Sequence, residues 1–265
     1  MTTIRGFCIP KLPLRPPVKN TGRTYTIEEV RARFKKKQEQ RRKRKKPFTL
    51  RERVLSKCRI IFREQPEAIY EVLKKQYTQK YRKYHNLKHI EACLNESREY
   101  FRWEVSADSA SAHEKPIDDL LLVDLAILFH DFIYDPKGSD NEESSAEVFR
   151  QMLGHNLRKE SAQEVYNLIL MTKHNKQPRT KYEKLIVDID LSILGQPKEV
   201  FEAYERAIRK EYSWVSDDEF CIGRLKVLKD FLSRKRIYST PYFFDKYEKQ
   251  ARINLAWSIR MLIKP

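Results

Sequence analysis

Hydrophobic residues recur at helical spacing along most of the chain from residue 49 onward, and no long segment shows strand-like alternation. Successive amphipathic segments separated by turn residues predict about nine to eleven helices. Thr49 and Asn86 stand where two of these helices would begin, and Asp140 or Asn141 stands where a third would begin. The pattern therefore predicts an all-α fold.

The most apolar stretch runs from Leu120 to Phe129, where Asp124 is the one polar residue. A helix that is apolar on nearly every side lies in the middle of a protein. His130 and Asp131 follow this stretch directly. Burying two ionisable groups without partners costs on the order of several kcal/mol, and a bound metal ion is one way to satisfy both.

The first 48 residues follow a different pattern. They begin as an irregular arm with several prolines, and Thr26 and Glu29 then form a capping-box pattern at the start of a predicted helix. Residues 31–46 hold eleven basic side chains and one acid. We therefore expect two parts, a basic and flexible N-terminal extension at 1–48 and a helical domain at 49–265.

The net charge of +17 belongs mostly to this extension, because residues 1–50 hold 16 basic side chains and three acids. The remaining residues hold 38 basic and 34 acidic side chains, so the helical part is nearly balanced. That balance argues against a protein that binds nucleic acid over its whole surface. The basic run 31–46 is interpreted either as a solvated arm or as a segment that binds RNA, DNA, another polyanion, an acidic membrane or an import receptor.

Cysteine spacing and hydropathy bear on the compartment. The four cysteines form no CxxC pair, which indicates neither a cysteine zinc site nor a disulfide framework. No apolar run approaches the ~18 residues of a membrane helix. We therefore expect a cytoplasmic protein without a membrane span, with organelle or nuclear targeting by the basic arm as the alternative.

Several histidines and aspartates occur in contexts that suggest a metal site. Two histidines lie four residues apart at a predicted helix start, where they share a face, and others follow apolar segments. Such mixed nitrogen and oxygen ligands suit Mn²⁺, Fe²⁺, Zn²⁺ or, with more water, Mg²⁺. Taken singly, each has a structural explanation, for example an aspartate that caps a turn or lies on an exposed face. The residues are His85, His89, His130, Asp131, His174, Asp188 and Asp190.

The order of these residues resembles the HD superfamily of metal-dependent phosphohydrolases. YHNLKHI resembles the YHNxxHA segment of the cyclic-nucleotide phosphodiesterases, which share the broad fold, and DIDLS resembles their ADLS. Eight blocks between about residues 65 and 260 follow, in order, a group of predicted bacterial-type HD phosphohydrolases. The blocks are YHNLKHI, LFHDFIYDP, DNEESSAEVF, LILMTKHN, DIDLSILG, AYERAIRKEY, GRLKVLKDFL and ARINLA.

The resemblance implies an HD-like multi-helix bundle and a set of site residues. His85 is expected to protonate the leaving oxygen, and Asp131 to help orient the attacking water as well as bind the metal. His174 and Lys173 are expected at a second metal or a phosphate. Asp188, Asn141 and Glu142 are expected to support the ligands from behind, with helix packing as the alternative for the last two. The implied metal ligands are His89, His130, Asp131 and Asp190.

These expectations lead to a metal-dependent phosphohydrolase that acts on a nucleotide or another small phosphorylated metabolite. One alternative is a non-hydrolytic metalloenzyme of the same fold, such as an oxygenase with two irons, which a third histidine ligand would favour. Another is a nucleic-acid-binding module that uses residues 31–46, with the helical part as a scaffold. The sequence does not identify the substrate, the metal or the oligomeric state.

Overall fold

The computed structural model describes residues 3–4, 7–8, 49–61, 66–107 and 116–263. The predicted helix at Thr26 and the basic run 31–46 lie outside these residues, as does the expected boundary between the two parts of the chain. The extension and its binding partners therefore stay predictions.

The part of the chain that the structure describes is almost entirely helical and contains ten α-helices, so the all-α prediction is confirmed. A two-residue strand β1 (Thr3–Ile4) pairs antiparallel with β2 (Phe7–Cys8). Two short 3₁₀ segments, Gly154–Asn156 and Leu191–Gly195, lie between helices. The helices are α1 Leu50–Ile61, α2 Pro66–Tyr77, α3 Leu87–Ala107, α4 Pro116–Phe129, α5 Asn141–Met152, α6 Lys159–Met171, α7 Lys181–Asp190, α8 Lys198–Glu211, α9 Asp217–Ser233 and α10 Pro241–Ile263.

Side-chain caps fix the starts of several helices. Thr49 accepts a hydrogen bond from the backbone N–H of Glu52, whose carboxylate accepts one from the backbone of Thr49. Thr180 and Ser216 form the same capping box at α7 and α9. Asn86 accepts a hydrogen bond from the backbone N–H of residue 88 and so begins α3. The starts predicted at Thr49 and Asn86 are confirmed.

Helix α4 lies at the centre of the bundle, as its apolar pattern predicts. Every residue from Val123 to Phe129 is buried, and α4 packs against α3, α5, α6 and α7. Asp124 is satisfied inside the core, because its carboxylate accepts a 2.7 Å hydrogen bond from the Ser97 hydroxyl on α3. The end of this buried helix therefore fixes the position of His130 and Asp131, which follow it in the chain.

Helix α10 braces the segment that follows α7. The amide of Asn254 donates to the carbonyl oxygens of Leu194 and Gln196, both at 2.8 Å. Gly195 passes so close to Tyr247 that a Cβ at this position would overlap the tyrosine side chain. None of the described helices combines the length and apolar character that crossing a bilayer requires.

Candidate metal centre

Three helix ends converge at one point of the bundle. His89 lies in the first turn of α3, His130 and Asp131 follow the last residue of α4, and Asp190 is the last residue of α7. Because α4 packs against both α3 and α7, these ends meet although they are far apart in the sequence. His174, three residues after α6, reaches the same place.

The side-chain atoms of this group lie at ligand-to-ligand spacing. His89 Nε2 lies 3.1 Å from His130 Nε2 and 3.3 Å from Asp190 Oδ1. Asp131 Oδ2 lies 3.0 Å from His130 Nε2 and 3.5 Å from His89 Nε2. Two ligands that each lie ~2.1 Å from a shared ion stand roughly 3–3.5 Å apart. His89, His130 and Asp190 therefore form a group that fits a metal ion.

The two histidines of the group are buried, whereas its two carboxylates are partly exposed to solvent. The side chains of His89 and His130 are only 3% exposed, whereas those of Asp131 and Asp190 are 16% and 19% exposed. His85 is 21% exposed. An ion held here would be shielded from below and accessible to water and a small substrate from the side of the two carboxylates.

Charge in the group favours a bound cation. Burial alone would raise the pKa of Asp131, but the neighbouring His130 and His85 outweigh it and hold the pKa below its usual value. The pKa of Asp190 is also lowered, against the effect of burial, by His130 and His174. Asp131 Oδ2 is buried and has no hydrogen-bond partner among the described residues. A cation would satisfy this orphaned oxygen.

The tautomer of His130 suits metal binding. Its Nδ1 lies 2.9 Å from the carbonyl oxygen of Ile127, to which it donates, and Nε2 is left to face the group, where a bound ion would take the place of its proton. A metal-binding histidine commonly uses its other ring nitrogen for such a backbone hydrogen bond. The end of α4 thus orients one ligand through its own backbone.

His85 lies beside this group and is held by Glu211, at the end of α8. The Glu211 carboxylate lies 2.6 Å from His85 Nδ1 and also accepts a hydrogen bond from the Tyr134 hydroxyl at 2.7 Å. The backbone N–H groups of Lys83, Tyr84 and His85 donate to its other oxygen. Glu211 therefore sets both the loop that carries His85 and the orientation of its ring.

The surroundings of the His85–Glu211 pair favour its charged form. Burial would raise the pKa of Glu211, but its hydrogen bond to His85 outweighs this and lowers the pKa to about 2. Burial likewise opposes the charge on His85, whereas Asp131 and Glu211 raise its pKa. The sequence left Glu211 without a role, because 126 positions separate it from His85 and no local pattern connects them.

A buried arginine, which the sequence did not point to, ties this loop to the end of α4. The guanidinium of Arg82 donates to the carbonyl oxygens of Asp131 at 2.7 Å, Phe132 at 2.8 Å and His85 at 3.1 Å. Its carbon lies 5.1 Å from the ring centroid of Tyr77. Arg82 thus fixes the spacing between His85 and the His130–Asp131 turn.

His174 and Lys173, both predicted at a second metal or a phosphate, make different contacts. His174 joins the group, since its Nε2 lies 2.9 Å from Asp190 Oδ2, and its backbone is left-handed with a φ of 56°. Lys173 does not join it. Its ammonium binds the carbonyl oxygen of Ser139 and the carboxylate of Glu143 at the start of α5. The predicted contact of Lys173 with phosphate is therefore not prepared in this structure.

Asp188 does not support the ligands, contrary to expectation. Its buried carboxylate accepts hydrogen bonds from the backbone N–H groups of Ser239 and Thr240 and from the Thr240 hydroxyl, at 2.7–2.8 Å. It therefore anchors the segment that leads into α10. The alternative of an exposed face residue is also wrong, because Asp188 is 0% exposed.

Asn141 and Glu142 lie at the loop that follows the His130–Asp131 turn. The Asn141 amide exchanges two hydrogen bonds with the backbone of Asp135, at 2.9 Å and 3.0 Å, and so closes this loop. Burial raises the pKa of the half-buried Glu142, and the negative charge of Asp131 adds to the effect. Asn141 thus closes the loop, and the charge of Asp131 is felt at Glu142.

Comparisons with models of protein families, with curated proteins and with solved structures found no match to this chain.

Proposed function

We propose that the protein is a metal-dependent phosphohydrolase that acts on a nucleotide or another small phosphorylated metabolite. The observation that carries the proposal is the convergence of two imidazoles and two carboxylates beside a histidine that Glu211 orients. The resemblance of the eight sequence blocks to HD phosphohydrolases points to the same residues. The HD assignment of the fold is part of this proposal.

The donor set limits which ion would be held. Imidazole ligands suit Mn²⁺, Fe²⁺ and Zn²⁺ better than Mg²⁺, which prefers oxygen and several waters. His89, His130, Asp131 and Asp190 would hold the ion, and the orphaned Asp131 oxygen fits this role. When bound, a divalent ion lowers the pKa of a bound water towards ~7 and stabilises charge on phosphoryl oxygens.

His85 is the proposed general acid. Glu211 binds its Nδ1 and favours the charged ring, which leaves Nε2–H as the proton to donate to a leaving oxygen. Such a positioned acid contributes typically ~10²–10⁴ in rate. The stacked ring of Tyr134, 4.2 Å from His85 between centroids, and the Arg82 clamp limit movement of this acid.

Metal content and phosphate release test the proposal together. We expect the purified protein to contain a divalent metal by elemental analysis and to release phosphate from at least one member of a panel of nucleotides and sugar phosphates. His130→Ala should lose the metal and the activity. His155→Ala replaces an exposed histidine of a 3₁₀ segment and should keep both.

Two results would contradict the proposal. Metal retained in His130→Ala would overturn the ligand assignment. Full metal occupancy without phosphate release from any ester would overturn the hydrolase and favour a non-hydrolytic metalloenzyme, for which the contact of His174 with Asp190 supplies a further histidine. Binding of nucleic acid through residues 31–46 is a separate prediction, tested by comparing the full chain with a variant that begins at Pro47.

A further inference from the structure

Trp214 is a half-exposed aromatic residue that follows Glu211, the partner of the proposed acid, in the chain. It lies in the turn between α8 and α9, three residues after Glu211, and 49% of its surface is accessible. Leaving this much indole in water forgoes the stabilisation that burial of an aromatic side chain provides. The indole is therefore accessible to a ligand from solution.

The turn that presents Trp214 is rigidly built. The guanidinium of Arg209 donates to the carbonyl oxygens of Tyr212 at 2.8 Å and Val215 at 3.1 Å, on either side of the tryptophan. It also binds the carboxylate of Asp217 at 2.6 Å. Trp214 is thus held in a fixed place by a braced turn.

A cation from a second loop faces the indole. Lys137 belongs to the loop that follows the His130–Asp131 turn, and its ammonium lies 5.3 Å from the centroid of the Trp214 ring. The Tyr134 hydroxyl joins this loop to Glu211 at 2.7 Å. Lys137 and Trp214 therefore form an exposed cation–aromatic pair. Lys137 comes from the loop after the His130–Asp131 turn, and Trp214 comes from the turn after Glu211.

We infer that Trp214 and Lys137 form a recognition site for the planar base of a nucleotide, on the two segments that follow Glu211 and Tyr134. Every nucleobase has a π-face that stacks on an indole, and its ring carbonyl and nitrogen acceptors suit a neighbouring ammonium. A sugar phosphate has no ring system of this kind. The inference rests on the proposed function for its catalytic meaning, but binding is measurable without turnover.

Calorimetric titration of the full-length, metal-containing protein tests the role of Trp214. The probes are the four common ribonucleoside monophosphates and ribose 5-phosphate. We expect at least one nucleotide to bind more tightly than ribose 5-phosphate. Trp214→Ala should weaken that nucleotide by about 5- to 100-fold, as expected for loss of base stacking, and should leave ribose 5-phosphate nearly unchanged. Trp214→Phe should restore most of the affinity.

A matched control uses another exposed tryptophan. Trp103 is 38% exposed and lies on α3, fourteen residues after His89, which places it about 21 Å along the helix axis. Trp103→Ala should leave the affinity for both kinds of probe unchanged. Equal weakening by Trp103→Ala and Trp214→Ala would overturn the inference.

Lys137 has its own test and control. Lys137→Met should weaken the preferred nucleotide by about 2- to 5-fold, because it removes one exposed hydrogen-bond donor to the base. Lys198→Met removes a similar contact, in which the ammonium lies 5.2 Å from the centroid of the Trp257 ring, and should have no effect. An unchanged affinity in Lys137→Met would remove this residue from the site.

The two proposals fail in different ways. Phosphate release from ribose 5-phosphate with no preference for any nucleotide would support the proposed hydrolase activity and contradict the proposed base site. Nucleotide binding that depends on Trp214, without phosphate release from any ester, would sustain the base site and overturn the hydrolase. If no nucleotide binds the wild-type protein more tightly than ribose 5-phosphate, the inference is wrong.

Discussion

Asp188 and Asp190 lie two positions apart at the end of α7, and their environments are opposite. Asp190 faces His89, His130 and His174, which hold its pKa well below the usual value against the effect of burial. Asp188 faces the segment before α10, where burial raises its pKa to about 6 although three hydrogen bonds favour the charged form.

The difference follows from helix geometry. Residues two apart in an α-helix point about 200° apart around its axis, so neighbouring aspartates reach opposite sides of the bundle. Asp190 can then bind a metal ion while Asp188 stabilises the fold. The two roles predict different consequences when each carboxylate is changed, and the following experiments separate them.

The largest effect is expected for Asp190→Asn. Removing a ligand should weaken metal binding by more than about 100-fold, because loss of a merely supporting group already costs ~10–100-fold. Activity should fall with the metal, while far-UV circular dichroism stays native. Asp188→Asn is the matched control and should keep its metal by elemental analysis. Equal metal loss in the two variants would show that both carboxylates act on the ion.

Asp188→Ala should instead lower stability. Ser239 and Thr240 would lose the acceptor of their N–H groups, and each unsatisfied buried donor costs about 1–3 kcal/mol. We expect the free energy of unfolding in urea to fall by about 2–4 kcal/mol. Asp230→Ala changes an exposed aspartate of α9 and should stay within about 0.5 kcal/mol. A similar loss in both variants would contradict the anchoring role.

Glu211→Gln extends the comparison to a third carboxylate that binds no metal. The glutamine keeps the shape but loses the charge that favours protonated His85, so kcat should fall by about 10- to 100-fold, within the range of general acid catalysis. Metal content should not change. Glu202→Gln, on the same helix, alters a carboxylate paired with Lys198 and Arg206 and should leave kcat unchanged. An unaltered kcat in Glu211→Gln would show that catalysis does not depend on the contact of Glu211 with His85.

The smallest effect is a pH dependence of stability from the same pair. The folded pKa of Glu211 is lowered to about 2, so its contribution is present above the unfolded value of ~4.3 and is lost as pH falls towards ~2. The raised pKa of His85 has the opposite sign, with its contribution present below ~6.5 and lost at higher pH.

Urea unfolding of the metal-free protein at several pH values measures this dependence. The stability difference between wild type and Glu211→Gln should be largest between about pH 4.5 and 6.5, where both members of the pair are charged. A difference that stays constant from pH 3 to pH 8 would show that the hydrogen bonds, and not the charges, stabilise the loop.

Local sequence patterns were enough to predict the helices and part of the candidate metal centre. The apolar run before His130 predicted a buried helix with two ionisable groups at its end, and α4 confirms it. The four-residue spacing of His85 and His89 placed them at a helix start, where both contribute to the site. The choice of Asp190 over Asp188 as a ligand came from resemblance alone, because both lie among apolar residues.

The supporting residues could not be predicted from local pattern. Arg82 contacts the backbone of Asp131, 49 positions away, and Glu211 contacts His85 across 126 positions. Neither distance leaves a periodic signal in the sequence. Lys173 shows the reverse case. Its position next to His174 in the chain suggested a contact with phosphate, but its ammonium is paired with Glu143 instead.

The sequence by itself determined the all-α class, the buried central helix and the residue types available for a metal, because hydrophobic periodicity and helix caps act over a few neighbouring positions. Only the tertiary structure decided that Asp190 joins the centre while Asp188 anchors α10, and that Glu211 and Arg82 hold the proposed acid. These contacts depend on how the helices pack, and packing joins residues that no local pattern connects.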